Sequence, residues 1–137
     1  MSEQPALTYG LRSVLATPFA QTLEAVKSAL KDQGFGILSE IDLAATLKAK
    51  IGAEVEPQVI LGACNPALAH RSLRAEPSIG LLLPCNVVVR AHHDKTIVEA
   101  LDPQVMVRVT GNPALSEVAD DAAARLRAAL ASLPQHV

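Results

Sequence analysis

The chain has 137 residues, half of them hydrophobic and 19% charged, with a formal net charge of −2. That is enough apolar mass for one packed domain and too much for a disordered chain. With no Trp, one Tyr and two Phe, and no block of Lys and Arg, the chain lacks the rings and basic track of a nucleic-acid binder and the rings of a cation cage.

The N-terminus, Met1-Ser2-Glu3-Gln4-Pro5, carries neither a basic start nor an apolar stretch, so it does not read as a secretory signal. Residues 1–7 read as a disordered lead-in to a single α+β domain over 8–134. Tyr9 to Ala16 alternates as a first strand, stopped by Thr17-Pro18. Phe19, Leu23, Val26 and Leu30 then recur at helical spacing and predict an amphipathic helix ended by Gly34. A short strand follows over Phe35 to Ile41. Asp42 is an expected N-cap for a second helix, with Leu43, Leu47 and Ile51 on one side and Gly52 after it.

Val59 to Ala63 is a continuous apolar run, the pattern of a strand buried on both faces. Asn65-Pro66 pairs a strong N-cap with a proline at the first helical position, and the helix carries Leu68 and Leu73 and stops before Pro77. Ile79 to Val89 is the longest uncharged apolar stretch. It is broken by Gly80, Pro84 and Asn86, and it is too short to span a membrane. Ile79 to Leu83 reads as loop or helical turn and is a candidate dimer contact. Val87-Val88-Val89 and Thr96-Ile97-Val98 are β-branched runs joined at His92-His93-Asp94-Lys95, the mark of a hairpin. Val105 to Val109 alternates like an edge strand, but a helix after Asp102-Pro103 fits as well. Asn112-Pro113 opens the last helix, lined by Leu115, Val118, Ala122, Leu126 and Leu130, and Pro134 ends it. Short connections late in the chain predict a mainly antiparallel sheet covered on one face by helices. The location expected is cytoplasmic, with free thiols rather than a disulfide.

Three segments, Phe35 to Asp42, Gly62-Ala63-Cys64-Asn65-Pro66 and Leu82 to Val89, resemble the hallmark segments of the family called domain of unknown function 302. The similarity runs from about Tyr9 to the C-terminal helix. It implies a strand–helix–four-strand–helix core of the TATA-box-protein-like type with inserted short helices, and a homodimer. It implies no activity, substrate or cofactor. The hairpin tip departs from the family pattern in carrying His92-His93-Asp94-Lys95.

The ligand-binding candidates are Cys64, Asn65, Cys85 and Asn86. If the strands before Cys64 and after Cys85 are antiparallel neighbours, both Cys-Asn corners reach one edge of the sheet. A thiol beside a helix N-terminus gains from unpaired amides, and two side-chain amides could bond a small molecule. Buried cysteine also packs as a small hydrophobe, Asn65 is explained as an N-cap, and both readings stay open. Metal binding is poorly supported, because neither Cys has a second ligand at zinc spacing and His92-His93 alternates faces. No nucleophile elbow, P-loop or dinucleotide fingerprint is present, and only His70 is placed to act as a base for Cys64. Three functions compete: a non-catalytic homodimeric module binding a small molecule or partner, a thiol-dependent redox or transfer protein using Cys64 with Cys85, and a purely structural role. No cofactor, nucleic acid or membrane is expected in any of them.

Overall fold

A computed structural model describes residues 6–137. Of the expected disordered lead-in, residues 1–5 lie outside the described residues, and Leu7 is half-buried. The elements are β1 (Gly10–Leu15), α1 (Phe19–Asp32), β2 (Gly36–Asp42), α2 (Leu43–Ile51), β3 (Gln58–Cys64), α3 (Pro66–Ala75), β4 (Cys85–His92), β5 (Lys95–Leu101), α4 (Gln104–Thr110) and α5 (Ser116–Ala131). A short 3-10 segment, Pro77–Leu82, links α3 to β4. The strands form one antiparallel sheet in the order β1-β5-β4-β3-β2. The α+β architecture and the strand–helix–four-strand–helix core are therefore as the sequence predicts.

Strand alternation divides the sheet into two unlike faces. Leu15, Val59, Leu61, Val87, Val89 and Val98 point to one side, each 5% exposed or less, and meet Val26 and Leu30 of α1 and Leu126 and Leu130 of α5. The opposite side presents Ile60, Val88, Arg90, Glu99 and Arg12. Ile60 is half-buried, so β3 is not buried on both faces as its apolar run suggests.

Helix ends follow local rules closely. Gly34, at φ +85°, ends α1 in a Schellman motif: its N–H donates to Lys31 O and that of Phe35 to Leu30 O. Phe35 and Leu30 then bury together in the core. The Asp42 carboxylate accepts from the Ala45 amide at 2.9 Å and starts α2. No residue of α2 is fully buried: on its expected apolar side Leu43 and Leu47 are half-buried and Ile51 is 73% exposed.

Two further expectations need correcting, and one open alternative is decided. Leu73 of α3 is 44% exposed, and Ser72 takes the buried position instead, its hydroxyl donating back to Leu68 O. Residues 104–110 are a helix despite their alternation. β5 before them is already paired on both edges by β1 and β4, and the Asp102 carboxylate accepts the Gln104 amide at 3.0 Å to start the turn. Ile79 is 1% exposed while Leu81 is 88% exposed, so Ile79 to Leu83 does not form a continuous apolar surface.

Candidate functional site

The topology brings the two Cys-Asn corners to one end of the sheet. β3 and β4 are antiparallel neighbours, and Ala63 lies opposite Cys85. Cys85 shares the helix-covered face with Val87 and Val89, whereas Asn86, one residue on, points to the other face. Asn65 caps α3, its Oδ1 accepting from the Leu68 amide at 3.2 Å. That cap sets the angle at which α3 leaves the sheet, and a cavity lies under it.

The cavity has a free volume of about 50 Å³. Ala63, Cys64, Cys85 and Leu101 of the sheet form its floor, with Phe35 beside them. Asn65, Leu68, Ala69 and Ser72 of α3 form one wall. Val118, Ala122 and Leu126 of α5 form another, and Met106, Leu82 and Leu83 close the end. Cys64, Asn65 and Cys85 are thus gathered at one site, and Asn86 is not part of it.

No charged side chain lines the cavity, and three of its polar atoms are already engaged. The Ser72 hydroxyl bonds Leu68 O at 2.9 Å, Asn65 Oδ1 serves as the cap, and the Cys85 thiol donates to Leu101 O at 3.6 Å. Among the described residues, no buried side-chain nitrogen or oxygen lacks a partner. The interior is therefore suited to apolar contact rather than to proton transfer.

Burial pushes the Cys85 thiol up to about 12, with the Asp102 carboxylate adding to the effect. At neutral pH Cys85 is an uncharged thiol and a poor nucleophile, since the thiolate is the reactive form. Both cysteines are free and are not close to one another, so the geometry for a direct Cys64–Cys85 bridge is absent. His70 is exposed and does not line the cavity, which leaves Cys64 without that base. The His92 and His93 rings touch in a tilted arrangement, 4.3 Å between centroids and 52° between planes, and among the described residues no cluster of three His, Cys, Asp or Glu side chains could hold a metal.

On the opposite face Asn86 borders a second, more open depression of about 270 Å³ with Tyr9, Gln58, Arg90 and Glu99. Here Glu99 bridges two arginines, at 2.7 Å to Arg12 Nη2 and 3.0 Å to Arg90 Nε. Burial alone would raise its pKa, but the hydrogen bonds and charges of Arg90 and Arg12 outweigh that and hold the carboxyl below its ordinary range. Sequence reasoning missed this trio. The signal was available once register is known, because Arg12, Glu99 and Arg90 occupy facing or next-neighbour positions on three adjacent strands.

Comparison with known proteins agrees with the fold. The family model "Domain of unknown function DUF302" matches residues 12–133. A solved structure, the uncharacterized conserved protein DUF302 from Bacillus stearothermophilus, superposes with a TM-score of 0.85 at 32% identity. The match covers 91% of this chain and 98% of that one. No curated protein matches the chain. With nearly its whole length matched by the family model and a relative of the same architecture, the chain belongs to the DUF302 family.

Proposed function

We infer that this protein is a non-catalytic module that holds a small molecule in the cavity under α3 and works as a homodimer. The observation that carries the binding role is the cavity itself. It gathers Cys64, Asn65 and Cys85 against Leu68, Met106 and Leu126 and contains no acid–base pair. A concave, mostly apolar recess with few polar groups is the usual form of a small-ligand site.

The absence of catalysis rests on three features: Cys85 is held neutral, His70 faces away from the cavity, and every buried polar side-chain atom among the described residues is already bonded. Two free thiols suit a reducing, cytoplasmic compartment. The homodimer is supported by the sheet face opposite α1 and α5, where Ile60 and Val88 are only half-buried. There Ile41 faces Ile60 and Ile60 faces Val88 across three strands, an aliphatic row with no helix of this chain's core above it.

Native mass spectrometry of the protein as purified tests both halves. A dimer carrying an added small-molecule mass is expected. Monomers would overturn the dimer, and bare subunits would overturn the retained ligand.

A further inference from the structure

Resting on that binding role, we propose that the ligand of this cavity is a short, uncharged aliphatic group, and that the site discriminates against charged molecules of the same size.

Size and lining lead to the same class of occupant. A free volume of about 50 Å³ corresponds to roughly four water-sized groups, because one such group needs about 10–15 Å³. A peptide helix or an aromatic ring system does not fit in that space, whereas a chain of a few methylenes does. The contacts available are Leu68, Met106, Val118, Ala122 and Leu126, each 9% exposed or less. Those side chains offer dispersion and apolar burial, which is how a methylene chain gains free energy.

Charge is excluded by what the walls lack. An ion brought into the cavity loses its water and finds no counter-charge among the lining side chains to replace it. The Ser72 hydroxyl, the Asn65 carbonyl and the Cys85 thiol are each committed to a backbone partner. The Cys85 thiol, neutral at working pH, adds no field of its own.

The test uses three four-carbon probes on the full chain: butan-1-ol, butyrate and butylammonium, followed by methyl and amide NMR. Butan-1-ol should move the signals of Leu68, Met106, Val118 and Leu126 in a saturable way. Butyrate and butylammonium should bind at least about tenfold more weakly, the smallest factor expected when a charge is buried unpaired. Ala122→Leu, which fills the cavity from α5 while keeping a good helix former, should abolish the butan-1-ol shifts. Should that variant fail to fold, Ala69→Leu fills the same space from α3.

Equal binding of all three probes at these residues would overturn the neutral-aliphatic class while leaving a small-molecule site intact. Saturable binding confined to other residues, or no butan-1-ol binding, would overturn the proposal. A ligand mass retained on the purified protein would then still support the broader binding role with a different ligand chemistry.

Discussion

Truncating Leu126 to alanine tests whether the cavity is a rigid feature of the fold. Leu126 is 1% exposed, belongs to the main core with Val87, Ala100 and Leu130, and also lines the cavity. Leu→Ala at buried sites costs about 2–5 kcal/mol, the spread reflecting how far the surroundings collapse into the space. Collapse is hard here. The facing residues Ala63 and Ala100 are too short to swing inward, and the backbone beneath them is fixed by sheet pairing on both sides. The new void also joins the existing one. We therefore expect a loss of about 3–5 kcal/mol, in the upper half of that range. A urea slope of about 1–3 kcal/mol per molar then gives a midpoint lower by on the order of 2 M, with the slope unchanged. Leu81→Ala is the control, since Leu81 is 88% exposed and its removal should stay within about 0.5 kcal/mol. A Leu126→Ala loss under about 1 kcal/mol would show that the walls close up, and a cavity that closes so readily is no standing site.

Several other outcomes follow. Asn65→Ala removes the α3 cap and should cost about 1 kcal/mol in urea unfolding, whereas Asn65→Asp should retain most of it. Gly34→Ala places a side chain at φ +85° and about 3.0 Å from Asn65 Nδ2, so it should cost at least about 1 kcal/mol. Folding lowers the Glu99 pKa, so its stabilisation is complete above the ordinary carboxylate value of about 4.3 and is lost as pH falls through the lower folded value. Glu99→Gln should flatten that acid limb of a stability-versus-pH curve, and an unchanged limb would contradict the Arg12–Glu99–Arg90 bridge. In native alkylation near neutral pH, Cys64 should be modified well before Cys85, whose thiol at about 12 carries almost no thiolate. Equal rates would contradict its burial.

Much of the architecture was legible because it is written in local chemistry. Gly34 ends α1 because it lacks a Cβ, the Asp42, Asn65 and Asn112 side chains cap the elements they start, and the α1 and α5 stripes bury as their spacing predicts. What failed depends on the neighbours that each segment finds. Leu43, Leu47 and Ile51 share one side of α2, yet the first two are only half-buried and Ile51 is exposed, because α2 packs chiefly on β2 and β3. Val105 to Val109 fits strand and helix alike in its own sequence, and the helix forms because no sheet edge is free beside β5. At the candidate site, the meeting of the two Cys-Asn corners followed from strand adjacency and is seen in the Ala63–Cys85 register. Asn86 parted from the others because consecutive residues of a strand face opposite ways. The remaining lining, from Met106, Val118 and Ala122, comes from helices far along the chain, and no local pattern marks their convergence.

A crystal pressurised with xenon is the most direct test that the space under α3 is a standing, apolar recess, since dry apolar cavities take up xenon. Xenon density is expected between Leu68, Cys85, Met106 and Leu126, and it should vanish in Ala122→Leu. Ordered water hydrogen-bonded in that space, or xenon lodged only elsewhere in the molecule, would contradict the account.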